Sequence, residues 1–383
     1  MTGPQGVFER QVQSALDGAP SRIPVILGGC GSGRTWLVQR ICETAGRVTA
    51  QYINVERSAT TPERFLEAVT SSSPFAWHAA DRKPTSPRDA FDAVLAFFDT
   101  ARGPGGEPCT FILDEVLELR TFESFPGLRH VVRDLIEALS GSENRFVLTT
   151  RYVARARRIL HNASPRFDAM FMPPMNASEV TDFLAPAFNG YEQMPTDDRD
   201  YLGRAVQALT DGRPAYVRAI GDVLAQMHGT TDAVSALTAL MSEDGALNQT
   251  CRYCYELRLH RARGYGALKA ILDILAETEP LTLTEISIRL RRTPGSTKDY
   301  LSWLEDVDLV TSRQKRYSFT DPLLRLWVRL HCRPTPPGVE EVARRVSDYA
   351  RDRLPQPEPA ALAYVGVEAT PEERKSWGII EID

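Results

Sequence analysis

An α/β domain on a parallel sheet, followed by an all-helical segment and then by a helix-turn-helix with a hairpin, is the architecture this sequence predicts. Three observations predict it. An apolar run, Ile23 to Leu27, stops at a glycine cluster and restarts as a helix at Trp36, and a second apolar run, Thr110 to Leu113, ends in the acids Asp114 and Glu115. Strand and helix patterns alternate as far as residue 177, after which no strand pattern appears until a short hairpin around Arg313 to Arg316. Such alternation implies parallel strands joined by right-handed crossovers, with ligands gathered at the carboxyl ends of the strands.

The chain of 383 residues is too long for one ordinary core and divides into two or three. Its 43% hydrophobic and 25% charged content is that of a soluble globular protein, and a net charge of -5 excludes a global attraction to nucleic acid. No stretch reaches the eighteen apolar residues of a membrane span, and residues 1–24 lack the apolar core of a signal peptide. A cytoplasmic protein without membrane contact is expected. Of six scattered cysteines only Cys251 and Cys254 form a C-x-x-C pair, which is half of a zinc site, and His260 completes no familiar spacing.

Taken in order, residues 5–18 form an amphipathic helix with Val7, Phe8, Val12, Ala15 and Leu16 on one side. The buried strand at residues 22–27 then enters Gly28-Gly29-Cys30-Gly31-Ser32-Gly33-Arg34-Thr35, which fits G-x-x-x-x-G-K-[ST] except that arginine stands in the lysine position. Glycines here allow positive φ and a close approach of backbone N–H groups to phosphate oxygens, while the helix starting at Trp36 points its positive end at the same anion. Residues 28–36 are therefore the candidate cradle for ATP or ADP, with the Thr35 hydroxyl placed for Mg²⁺. Cys30 sits in this loop either as an oxidisable thiol or as a small filler.

A strand at residues 48–55 and helices at 62–70 and 87–100 follow, the last capped by Ser86, with a polar, Pro-rich exposed loop at 71–86 between the two helices. At Thr110-Phe-Ile-Leu-Asp-Glu115 the first acid is placed near Mg²⁺ and the second to polarise the attacking water. Asp114 is the candidate metal ligand. Glu115, Arg34 and Arg151 are the candidate catalytic residues, Arg151 closing a strand, Arg145 to Leu148, that ends in Thr149-Thr150-Arg151 on the γ-phosphate side. A helix at 128–139 precedes that strand, and a fifth strand near Met170 to Met172 completes a nucleotide-binding domain at 1–177.

Helices at 179–184, 198–210, 214–227 and 231–241 make an all-helical lid at 178–256, with Pro214 in the first turn of its third helix. Residues 257–333 read as a winged helix-turn-helix, with helices at 266–277, 284–291 and 296–307 and a hairpin whose tip is Arg313-Gln-Lys-Arg316. From Cys251 to Arg333 there are fifteen Lys/Arg against ten Asp/Glu, a basic patch in an acidic chain. Lys298 on the third helix, with Arg291, Arg292 and Thr297 nearby, and Arg313, Lys315 and Arg316 at the wing, are candidates for double-stranded DNA. A protein partner or a second copy of the chain is the alternative occupant, since Asp299, Glu305, Asp306 and Asp308 dilute that face. An Asp321-capped helix then docks on this unit, and residues 334–383 are a Pro-rich extension with a helix at 340–353 and a short apolar end.

Together the loop, Leu113-Asp-Glu115, Leu148-Thr-Thr-Arg151, Gly212-Arg-Pro214 and Asp321-Pro-Leu-Leu-Arg-Leu-Trp327 resemble the archaeal-type ATPases of the STAND branch of AAA+-related P-loop NTPases, over residues 7–333. The resemblance implies a three-layer P-loop fold, a sensor role for Arg151 and a nucleotide contact from Pro214. It also implies a switch in which bound ATP holds the P-loop domain to the lid and its hydrolysis or exchange repositions the winged helix. Arg34 departs from the pattern, since a planar, bidentate guanidinium is no substitute for a compact ammonium. Binding is expected to survive better than hydrolysis, which leaves a slow ATPase switch and a non-catalytic scaffold as the two readings. An arginine finger supplied by a second copy would come from residues such as Arg120 or Arg129.

Overall fold

Parallel strands joined by crossover helices are covered on both faces, and five parallel strands form the central sheet of the computed structural model. It describes residues 3–46, 49–77, 84–187, 194–227, 232–260 and 264–355. β1 (Ile23–Leu27), β2 (Ala50–Asn54), β3 (Thr110–Asp114), β4 (Arg145–Thr150) and β5 (Phe167–Phe171) pair in the order β2-β3-β4-β1-β5, all parallel. Side chains alternate along each strand and so sort the core into two layers. Ile26, Ile112 and Val147 join Phe8, Val12 and Leu16 of α1 (Pro4–Asp17) and Leu37, Val38 and Ile41 of α2 (Arg34–Ala45).

The neighbouring positions Leu27, Phe111, Leu113, Phe146 and Leu148 belong to the second layer. Its helices are α3 (Val55–Ser58), α4 (Pro62–Ser71), α5 (Pro87–Thr100) and α6 (Val131–Gly141), with a 3₁₀ turn at Val116–Ser124. Phe97, Phe98, Phe111 and Phe146 are buried against one another there, each stabilising the layer by about 1.5–3 kcal/mol. α7 (Val153–Leu160) connects β4 to β5.

Beyond the sheet come α8 (Ala177–Leu184), α9 (Thr196–Thr210), α10 (Pro214–Gln226), α11 (Ala233–Met241) and α12 (Ala246–His260). Next are α13 (Tyr265–Glu277), β6 (Leu281–Thr282), α14 (Leu283–Leu290), α15 (Pro294–Asp306), β7 (Val310–Arg313) and β8 (Arg316–Phe319), the strands pairing antiparallel as β6-β8-β7. α16 (Pro322–His331) and α17 (Val339–Arg351) close the described chain. Side-chain caps set the helix starts: Ser86, Thr293 and Asp321 accept backbone N–H groups, and Asn176 with Glu179 and Thr282 with Glu285 form reciprocal boxes.

Several boundaries differ from expectation. α2 begins at Arg34 instead of Trp36, β4 runs on through Thr149 and Thr150, and β5 lies at residues 167–171. α7 and α12 were not expected. α7 buries only Ala156 and hides its periodicity behind three arginines, while α12 runs through the C-x-x-C pair and carries both cysteines on its buried side. The extension is not detached either: α17 buries Val342, Val346 and Ala350, the Tyr349 hydroxyl donates to Leu209 O (2.8 Å), and Arg353 pairs with Asp211 (2.7 Å). The expected loop at 71–86, the strand start at Val48 and the helix start at Thr231 fall partly outside the described residues, as the apolar chain end does wholly. Among the described residues no helix is long and apolar enough to cross a membrane.

Candidate functional site

β1 delivers the glycine loop to the carboxyl edge of the sheet, and Gly33 (φ 88°) starts α2 in the left-handed region that only glycine adopts freely. The turn between α9 and α10 covers this loop closely. A Cβ at Gly31 would lie 3.0 Å from the Tyr216 ring, one at Gly29 3.2 Å from Arg213 Nη1, and one at Gly33 3.3 Å from Pro214. Ala215 N–H donates to Gly31 O (3.1 Å), and Arg213 Nη1 to Cys30 O (2.8 Å).

Arg213 ties more than the loop. It pairs with Asp321 Oδ2 (3.1 Å) and donates to Thr320 O (3.0 Å), while Tyr216 OH donates to the same Asp321 oxygen (2.7 Å). The other oxygen, Oδ1, caps α16 through the N–H groups of Leu323 and Leu324. One buried carboxylate thus joins the glycine loop, the helical segment and the helix that follows the hairpin.

At the end of β3, Asp114 is buried and takes three hydroxyls. Thr35 Oγ1 (3.0 Å) and Tyr52 OH (2.7 Å) donate to Oδ2, and Thr149 Oγ1 donates to Oδ1. Glu115 comes next with φ 60°, a costly conformation for a non-glycine residue, held by its N–H donating to Thr149 Oγ1 (3.0 Å). That turn swings its carboxylate between two guanidiniums. Arg34 Nη2 lies 2.5 Å from Oε1, Arg151 Nε 3.2 Å from the same oxygen, and Arg151 N–H donates to Oε2 (3.0 Å). Burial works to raise the Glu115 pKa, but Arg34 and Arg151 outweigh it and hold the carboxyl below the usual range. Arg151 also pairs with Glu56, which accepts from Tyr253 OH (2.8 Å).

Arg34 Nε and Nη1 and Ser32 Oγ are buried without a hydrogen-bond partner among the described residues. Unmet donors at a helix N-terminus fit an anion, and the glycine cradle fits its close approach. No cluster of three His, Cys, Asp or Glu that could hold a metal by itself occurs among the described residues. A cation seated by Asp114 and Thr35 would need ligand oxygens from a phosphate, the usual arrangement for Mg²⁺.

Beside Gly33 an apolar cavity of about 240 Å³ is lined by Gln5, Trp36, Met175, Phe183, Pro214, Ala215 and Arg218. Trp36 and Pro214, both expected from sequence, meet here. Gln5, Met175, Phe183 and Arg218 were missed, because α1, α8 and α10 converge only in three dimensions. A larger depression of about 1210 Å³ along α1 and β5 shares no residue with the loop or the acids.

Other expected residues fare unevenly. Thr150 is buried, its Oγ1 accepting Tyr152 N–H (3.2 Å) and its carbonyl accepting Gly28 N–H (3.4 Å). Arg120 is engaged with Glu123 (2.9 Å) and Arg129 is exposed. Lys298, Arg313, Lys315 and Arg316 are exposed, Arg316 lying 3.8 Å from Glu285, and Arg292 packs over Tyr300. Thr297 is corrected: it has no exposed surface and donates its hydroxyl to Thr293 O (3.0 Å), so it faces the core and cannot meet a nucleic acid.

Asp308, between α15 and β7, was read as a surface acid, but it packs against the start of α7, accepting Ala154 N–H (3.3 Å). Burial pushes its carboxyl up to about 6, against the pull of Arg258. A carboxyl raised in the fold lowers stability as pH climbs from its ordinary value near 4 through about 6. Asp308→Asn, tolerated at this left-handed φ of 55°, is expected to raise stability by about 3 kcal/mol at pH 7.5 and by little at pH 4, measured by denaturant unfolding at both values.

No protein-family model and no curated protein matches the chain. Among solved structures it is similar to a Walker-type ATPase of Pyrococcus abyssi at 15% identity, covering 85% of this chain and 95% of that one with a TM-score of 0.60. It overlaps less closely with the Orc1 protein of Aeropyrum pernix in complex with DNA (16% identity, 91% and 93% covered, TM-score 0.43). A STAND protein with a tetratricopeptide repeat sensor from Pyrococcus horikoshii gives 16% identity, 89% and 44% coverage and a TM-score of 0.36. The parallel five-stranded sheet, the glycine loop that follows β1 and the first of these likenesses agree: the chain has the fold of an archaeal Walker-type P-loop ATPase.

Proposed function

We propose that the chain binds ATP with Mg²⁺ and hydrolyses it slowly, acting as a STAND- or AAA+-like switch whose nucleotide state repositions the C-terminal helices and hairpin. The observation that carries this reading is the meeting of Thr35 with Asp114, and of Arg34 and Arg151 with Glu115, directly under the glycine loop. Arg34 would bind the phosphates with the loop N–H groups. Thr35 and Asp114 would hold Mg²⁺, which supplies charge neutralisation on the phosphate oxygens. Glu115 would orient and deprotonate water once released from its arginines, Arg151 would sense the γ-phosphate, and the cavity at Trp36 and Pro214 would take the base. Isothermal titration is expected to give heat with ATP and Mg²⁺ and weaker binding without the metal. Absence of binding by any nucleotide would sink the proposal.

The unit from α13 to β8 is read as a winged helix that binds double-stranded DNA through Lys298, Arg313, Lys315 and Arg316, which its exposed cations support. On random duplex, affinity is expected to fall with salt, and alanine at Lys298, Arg313 and Lys315 should lower the slope by about 0.9 for each phosphate left unneutralised. A gel shift that is absent at low salt overturns the DNA arm and leaves assembly with a protein or a second copy. The second reading, a non-catalytic nucleotide-binding scaffold, is favoured by one observation: Glu115 is already neutralised by two arginines.

A further inference from the structure

Cys30 in the glycine loop and Cys254 on α12 are paired, with Cα atoms 7.0 Å apart although 224 positions separate them in sequence. The pairing answers what the C-x-x-C motif does: its second cysteine reaches the loop, while Cys251 is buried among Asp321 and Arg213 with a thiol that burial pushes well above its usual range. One helical turn beyond Cys254, Arg258 donates from Nη2 to Cys30 Sγ (3.2 Å) and from Nη1 to Asp308 O (3.0 Å). Arg258 is itself buried, and its Nε has no hydrogen-bond partner among the described residues. A fixed cation against sulfur favours the negative charge that sulfur carries whenever the bridge forms or opens. A buried arginine, an oxidisable partner and a position inside the cradle therefore coincide at one sulfur.

We propose that Cys30 and Cys254 are an oxidation site, at which hydrogen peroxide or an organic hydroperoxide converts the dithiol to a disulfide that staples α12 to the glycine loop. The Cys30 thiolate attacks the peroxide, its S–O bond forming as the O–O bond breaks and hydroxide or alkoxide leaves. Cys254 sulfur then attacks Cys30 sulfur, and the S–S bond forms as the second oxygen departs as water. Two thiols lose two electrons and two protons, and hydrogen peroxide becomes two waters. An external dithiol reverses the bridge by two exchange steps, releasing both thiols and leaving the reductant as its own disulfide.

The staple fixes the third residue of the loop to the helix that leads into the C-terminal unit. Its consequence for nucleotide exchange rests on the function proposed above, whereas the bridge does not. In the full-length protein, one equivalent of hydrogen peroxide is expected to produce a Cys30–Cys254 linked peptide on non-reducing mass mapping, reversed by dithiothreitol and absent in Cys30→Ser and Cys254→Ser. Amide hydrogen exchange across residues 28–34 should slow at least tenfold in the linked form, and release of a fluorescent ATP analogue should slow similarly in the wild type but not in Cys254→Ser. Separately alkylated cysteines after peroxide, a sulfinic acid at Cys30, or a linked protein with unchanged amide exchange would each overturn the proposal. Linkage with slowed amide exchange in a protein that binds no nucleotide supports the oxidation site and counts only against the nucleotide reading.

Discussion

Glu115→Gln is expected to lower ATP turnover by about 10²–10⁴-fold, the usual contribution of a general base, while tightening ATP binding by about tenfold. Both effects have one source. Glu115 engages Arg34 and Arg151 at 2.5 and 3.2 Å, so phosphate would compete with a carboxylate of the chain itself. Glutamine removes the competing charge along with the base. It also leaves two guanidiniums buried beside a neutral amide, and breaking a buried pair in this way costs about 3–5 kcal/mol. The variant should therefore melt early when empty and recover most of the loss at saturating ATP. Phosphate release, isothermal titration and thermal unfolding with and without ATP read the three effects. A variant whose turnover equals that of the wild type would exclude Glu115 as the base and favour the scaffold reading.

Arg34→Lys is the second large effect, an expected rise in turnover of about tenfold with little change in ATP affinity. Lysine restores the compact charge of the usual loop, and its shorter side chain withdraws the single contact, Arg34 Nη2 to Glu115 Oε1, that holds the carboxylate. It frees the carboxylate for water and leaves Arg151 in place. A tenfold rise corresponds to about 1.4 kcal/mol at the transition state, of the size of a single charge-assisted hydrogen bond. The assay is steady-state phosphate release at saturating ATP and Mg²⁺. If the rate is unchanged, the identity of residue 34 does not limit the reaction and the slow step lies in the bonds that hold α9, α10 and α16 over the loop.

The fold was legible wherever chemistry is local. The run from Gly28 to Thr35, the apolar strand that ends in Asp114 and the Ser86 cap of α5 each carry their signal within a few consecutive residues; the strand and α5 formed where those residues placed them, and α2 began two residues early, at Arg34. Helices whose faces are masked were illegible. α7 alternates valine and alanine with Arg155, Arg157 and Arg158, and α12 mixes polar residues with two cysteines and shows no clear apolar face. The site was legible as a set of residues but not as an arrangement. Nothing in the local pattern says that Arg34 turns to Glu115, 81 positions away, or that Cys254 reaches Cys30, whereas Thr297 shares the helical face of Leu301 and Leu304 and its burial was legible there. Such pairings are decided by which helices the sheet edge brings together.

The carboxylate of Asp321 makes detachment of α16 an all-or-none event. Its two oxygens serve Arg213 and Tyr216 on one side and the first turn of α16 on the other, so α16 cannot leave the loop by degrees. Half-broken, the cluster leaves one buried ion without its partner, at about 3–5 kcal/mol. At equilibrium that confines the half-broken form to between roughly one molecule in a hundred and one in several thousand. The resting population is then nearly uniform, and a measured response would grow by recruiting molecules one at a time, each wholly attached or wholly released, instead of by loosening all of them together.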